Sequence, residues 1–196
     1  MTKLEGLQIN PQKIHGKGWT GYALDFYRLF KPLKYTKIGN LVYQVKYLSD
    51  SSQIHPIAET AAKFINKGFV VKGRLILPDI SKIIPIPHSD EDRPFQPVPK
   101  IAAKVGSILN LPVSDDLKKV KRTPRLQFIL SVGNKRAAIH GAFEIKSQNL
   151  HGHCVLLIDD IYDSGSTLTE ATKVLHEQGH VCHVFVLTLT KKIAKS

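Results

Sequence analysis

The stretch Val155 to Leu168 constrains this chain more than any other: V-L-L-I-D-D-I-Y-D-S-G-S-T-L. Val155 to Ile158 are four apolar residues, the composition of a strand buried on both faces, as in a parallel sheet. Asp159 and Asp160 follow at its C-terminal end, then the small, hydroxylated run Asp163-Ser164-Gly165-Ser166-Thr167. From Thr167 to Gln178 the pattern is helical, with Gly179 as a stop. Val181 to Leu189 is apolar and β-branched, hence a second strand. Strand, loop, helix, strand is a βαβ unit, which requires parallel pairing and a right-handed crossover. In such sheets ligands bind outside the carboxyl ends of the strands, where these acids and this loop fall.

The residue types in the loop suit a phosphate. A helix N-terminus exposes unpaired N–H groups and the positive end of a dipole. Gly165 lets the backbone approach closely, and Ser164, Ser166 and Thr167 add hydroxyl donors. Asp159 and Asp160 suit sugar hydroxyls or a divalent cation instead. One phosphate and one polyol side by side describe a phosphorylated ribose. The alternative is that Asp163 or Ser164 only caps a helix while the two acids are solvated at a strand end.

The rest of the chain fits an α/β fold: a mostly parallel twisted sheet with flanking helices, a small hood and an N-terminal arm. Residues 1–37 are expected to be an arm or cap packing through Trp19, Tyr22, Phe26, Tyr27 and Phe30, with a short helix over Ala23 to Phe30. Residues 38–196 form the main domain. Ile38 to Tyr47 shows no decisive period. Ile54 to Asn66 and Val98 to Leu109 carry helical spacing, stopped by Gly68 and by Asn110-Leu111-Pro112. Ile83 to Pro87 reads as a strand entering a loop, Ser131 to Ala138 as a short polar helix, and Ala142 to Ile145 as a strand.

Charge adds a constraint on partners. Lys and Arg number 28 against 16 Asp and Glu, a net charge of +12 that favours an anionic partner: nucleic acid, anionic lipid or a phosphorylated small molecule. Lys118, Lys119, Lys121, Arg122 and Arg125 form the densest cluster, a solvated face or a contact for single-stranded DNA or RNA. No long apolar run suggests a membrane span, and the first residues lack a secretory h-region. Two cysteines, Cys154 and Cys182, are too few for a disulfide scaffold, so a reduced, cytoplasmic setting with inert core thiols is expected. His176 with His180, and His151 and His153 with Cys154, lack the spacing of a transition-metal site.

Val155 to Leu168 resembles the phosphoribosylpyrophosphate (PRPP) signature of type I phosphoribosyltransferases. Leu41 to Tyr47, Ile84-Pro85-Ile86-Pro87, Arg93-Pro94-Phe95-Gln96 and Gly141-Ala142-Phe143 occur in the order seen in the ComF-like, competence-associated branch. The resemblance spans roughly residues 38–190. That branch often begins with a four-cysteine zinc ribbon, absent here. Asp90, Glu91 and Asp92 stand where it is usually basic, and Ala138-Ile139-His140 replaces its Asn-Leu-Arg.

The resemblance implies transfer of phosphoribose from PRPP to a nitrogen acceptor, such as a nucleobase, with release of pyrophosphate. The rival function is PRPP sensing or nucleic-acid binding without turnover. By resemblance Asp159 and Asp160 bind ribose and Mg2+, and Asp163, Ser164, Gly165, Ser166 and Thr167 bind the 5′-phosphate. Pro87, His88, Ser89, Arg93, Lys135 and Arg136 are assigned to pyrophosphate, with Arg136 able to clamp it bidentately. Asp163 is the candidate general base, a cap being its alternative role. Oligomeric state is not legible, and a homodimer is left open.

Overall fold

The computed structural model describes residues 7–71, 73–77, 79–88, 94–124, 126–146 and 150–193. The chain opens with strands β1 (Gln12–Gly16), β2 (Trp19–Phe26), β3 (Arg28–Leu29) and β4 (Lys34–Tyr35). Helices α1 (Lys37–Leu48) and α2 (Ile54–Asn66) lead into β5 (Phe69–Val71), β6 (Arg74–Ile76) and β7 (Lys82–Pro85). Then come α3 (Pro97–Leu109), β8 (Leu117–Lys119), α4 (Val132–Ile139) and β9 (Phe143–Ile145). The last third is β10 (Cys154–Tyr162), α5 (Ser166–Glu177) and β11 (His183–Lys191).

The central sheet has five strands in the order β1-β2-β11-β10-β7. Only β1 runs antiparallel to its neighbour; the other three pairings are parallel. Side-chain alternation along the strands divides the core in two. Val155 and Leu157 of β10 and Val184 and Val186 of β11 pack with Leu168, Ala171, Val174 and Leu175 of α5. Leu156, Ile158, Leu187 and Leu189 face the other way, against Val42 and Val45 of α1, Ile57 and Ala61 of α2, and Ile101 and Val105 of α3. The sheet is therefore buried on both faces, which accounts for the unbroken apolar run in β10. The small hood is the antiparallel pair β8–β9 with α4; Leu117, Ile139 and Phe143 seat it on the α5 side.

The α/β class, the mostly parallel sheet with flanking helices and the βαβ unit read from the sequence are observed, but Gln12–Gly16 and Trp19–Phe26, read as part of an arm, are strands β1 and β2 of the central sheet. Two local expectations are corrected. Ala23 to Phe30 is not a helix. Ala23 to Phe26 belongs to β2, which lies inside the central sheet between β1 and β11. Pairing on both edges overrides the local preference of Ala23 and Leu24 for helix. The undecided stretch after Thr36 is helix α1, started by the Thr36 hydroxyl, which accepts from the Gly39 N–H at 3.0 Å. Cys182 is also exposed and not a core thiol. No helix among the described residues is long and apolar enough to cross a membrane.

Candidate phosphoribosyl site

The parallel strands bring their C-terminal ends to one edge, and β10 ends there in Asp159 and Asp160. The chain then turns through Asp163 and Ser164 into Gly165, whose φ of 73° is the left-handed conformation that favours glycine. That turn delivers the N-terminus of α5 to the edge with no side-chain cap and no acidic residue in its first turn. The backbone N–H groups there are oriented for an anion. Ser164 and Ser166 share a hydroxyl contact of 2.9 Å, and Ser166 N–H donates weakly to Ser164 Oγ at 3.4 Å. The wall behind the turn is aromatic: Trp19 and Tyr162 meet edge to face at 6.3 Å, and a Cβ on Gly165 would lie 3.0 Å from Tyr162 Cε2.

The two acids have different surroundings. Asp160 Oδ2 lies 2.5 Å from Lys46 Nζ of α1, both side chains largely buried. Burial works against the Lys46 charge, but the attraction and hydrogen bond of Asp160 outweigh it and raise the ammonium above its usual range. Asp159 Oδ1 accepts the Asp160 N–H at 2.8 Å. Burial first, then repulsion from Asp160, push the Asp159 carboxyl up to about 7, against that hydrogen bond and the pull of Lys46.

The raised carboxyl has a consequence for stability. The fold favours protonated Asp159, whose ordinary value is 3.8, so its contribution is complete below that value and lost as pH rises through about 7. The unfolding midpoint of the ligand-free protein is expected to fall by several degrees between pH 5 and pH 8. In Asp159→Asn that part of the slope should vanish, as thermal melts on both proteins at matched pH would show. Parallel curves would assign the slope to other groups.

Lys135 and Arg136 are neighbours on α4 with different surroundings. Lys135 is buried, and its Nζ donates to Asp163 Oδ2 at 2.7 Å. Arg136 is exposed. Lys192, which the sequence did not single out, brings its Nζ to 3.6 Å from the same Asp163 oxygen. Asp163 thus sits between two ammonium groups, the geometry of an anchor for the loop.

Pro87 and His88 follow β7 at the same edge, since Ile86 N–H donates to Ile158 O at 2.8 Å and keeps the two chains side by side. Ser89 and Arg93, with Asp90, Glu91 and Asp92, lie outside the described residues. Away from the site, Lys118 is paired with Asp115 at 2.6 Å, and Lys119 donates to Thr123 Oγ1 at 2.6 Å. Part of the basic cluster is therefore internally partnered. The histidines are also in structural contacts: His176 ring nitrogens face Val181 O at 3.0 Å and Gly18 O at 3.2 Å, and His153 meets Ser81 Oγ at 2.8 Å. Burial, with the nearby charges of Asp79 and Cys182, raises the Cys154 thiol, keeping it in the unreactive protonated form.

No family model matches this chain. No curated protein matches it. Among solved structures it is similar to a glutamine PRPP amidotransferase from B. subtilis complexed with ADP and GMP, with TM-score 0.45 and 16% identity. That match covers 76% of this chain, which spans only 30% of the amidotransferase. It is also similar to an adenine phosphoribosyltransferase from Thermoanaerobacter pseudethanolicus, with TM-score 0.42 and 15% identity over 74% of this chain and 83% of that one. Likeness at this level carries no assignment, which rests on the residues of the chain itself.

Proposed function

We propose that this chain binds PRPP at the C-terminal edge of its sheet and transfers the phosphoribosyl group to a nitrogen acceptor, as a ComF-like phosphoribosyltransferase. The observation that carries the reading is the uncapped N-terminus of α5, entered through Gly165 at positive φ, beside two carboxylates at the end of β10. Residues 163–167 hold the 5′-phosphate. Asp159 and Asp160 take the ribose hydroxyls. Pro87, His88, Ser89, Arg93, Lys135 and Arg136 are assigned to the pyrophosphate side. In the reaction the acceptor nitrogen forms a bond to C1 as the bond from C1 to the pyrophosphate oxygen breaks, leaving with its electron pair. The residues contribute chiefly by holding phosphate and ribose so that C1 faces both groups.

Mg2+ fits this donor set. Asp159 is a carboxyl short of compensating charge, and Asp160 stands next to it. Among the described residues no group of three or more His, Cys, Asp or Glu forms a complete cage. Mg2+ is commonly held by one or two carboxylates and completed by ligand phosphates. Asp159 and Asp160 would hold it, and its chemistry is to offset charge on the pyrophosphate leaving group.

The test is calorimetric titration with PRPP and Mg2+, followed by pyrophosphate release against a panel of nucleobases. Binding with turnover is the expected result. Binding without turnover for any acceptor would make the chain a PRPP sensor, and no binding at all would remove the reading.

A further inference from the structure

The acidic pair of β10 is split between the two faces of the sheet. Ile158 packs in the cluster formed with α1, α2 and α3, and Asp160 lies on that side, tied to Lys46 of α1 at 2.5 Å. Leu157 packs in the cluster formed with α5, and alternation puts Asp159 on the side of the phosphate loop. Beside Asp159 in register is Thr188 of β11, fully buried, with a hydroxyl that has no partner. Polar capacity is thus met on the α1 side and unmet on the loop side, where a ligand would enter.

Two adjacent carboxylates should disfavour a phosphorylated ligand unless a cation offsets them. Here the offset is part of the chain. Lys46 lies in contact with one of the two, with only 21% of its side chain exposed, so solvent screens it little. We propose that Lys46 is a resident counter-cation and positioning residue of the ribose site, which lets the site bind ribose 5-phosphate and nucleoside 5′-monophosphates without a divalent ion. The divalent ion that Asp159 and Asp160 would hold is then needed for the pyrophosphate half of PRPP and not for the ribose 5-phosphate half. This inference rests on the phosphoribosyl reading and deepens it by naming a ligand class. It also gives α1 a direct role in a site otherwise built from β10 and α5.

The experiment is titration of ribose 5-phosphate into the full chain, in EDTA and in Mg2+. The wild type should bind with similar affinity in both. Lys46→Met should bind about tenfold more weakly in EDTA and recover much of the loss in Mg2+, and Lys46→Arg should behave like the wild type. A purely structural lysine would change affinity equally in both media. Asp160→Asn serves as a second background: with the charge gone, adding Lys46→Met should no longer create a Mg2+ dependence. If the wild type binds ribose 5-phosphate only with Mg2+, or Lys46→Met shows no new dependence, the role of Lys46 is overturned while the phosphoribosyl reading stands. If neither ribose 5-phosphate nor PRPP binds under any condition, the phosphoribosyl reading itself fails.

Discussion

Gly165→Val is expected to weaken binding of PRPP and of ribose 5-phosphate by about 100-fold or more, a loss of about 2.7 kcal/mol. Two effects act together. Gly165 has φ of 73°, where a β-branched residue is a conformational outlier. Its Cβ would also stand 3.0 Å from Tyr162 Cε2, so the ring or the turn must give by a few tenths of an ångström, on top of the backbone strain. Gly165→Ala meets the same contacts with less bulk and should fall between. Calorimetry with both ligands, beside circular dichroism to confirm the fold, checks the series. A valine variant that folds and binds like the wild type would show that the phosphate sits elsewhere.

Asp163→Asn separates two roles for the same side chain. The ion pairs to Lys135 and Lys192 predict a structural loss, because Lys135 is 9% exposed and would lose its carboxylate partner. Asp163 itself is 38% exposed, so the cost is discounted to about 1–2 kcal/mol. That lowers the unfolding midpoint by several degrees. Ribose 5-phosphate binding should weaken as the loop loses its anchor, and adding Lys135→Met should restore part of the stability by removing the stranded ammonium. A general base gives a different pattern: turnover falls about 100-fold or more while PRPP affinity is nearly kept. Measuring melting, affinity and pyrophosphate release on one preparation decides between them.

The parts of the fold legible in the sequence are those with one strong period. In α2, Ile57, Ala58, Ala61, Ala62 and Ile65 mark a single buried stripe, and α3 shows the same through Val98, Ile101, Ala102 and Val105. Helix α1 hid because it carries two periods at once. Ile38, Val42 and Val45 are its buried stripe, while Leu41, Tyr43, Val45 and Tyr47 alternate like a strand. Its clearest signal was Thr36, a capping residue just before the first turn. Strand β2 hid because both its faces are covered, so W-T-G-Y-A-L-D-F shows no clean alternation. In the candidate site, residues 159–167 are contiguous, so their proximity was legible in the sequence. Lys46 and Lys192 come from α1 and the chain beyond β11, and no local pattern ties either lysine to an aspartate so far away in sequence.

The strand order also governs how this molecule can assemble. β11 is the middle strand, with β10 on one side and β2 on the other, and Thr20 pairs with Phe185. The N-terminal hairpin β1–β2 therefore has no place in the sheet until β11 exists. A nascent chain that has emerged only as far as α5 presents β2 and β10 as open edges facing a gap, the configuration most exposed to pairing with another chain. Closing it joins segments from opposite ends of the sequence, which demands a large loop-closure entropy late in folding. The neighbouring β10–α5–β11 unit is accordingly expected to form first, so that the turn at residues 163–167 takes shape before the N-terminal hairpin docks.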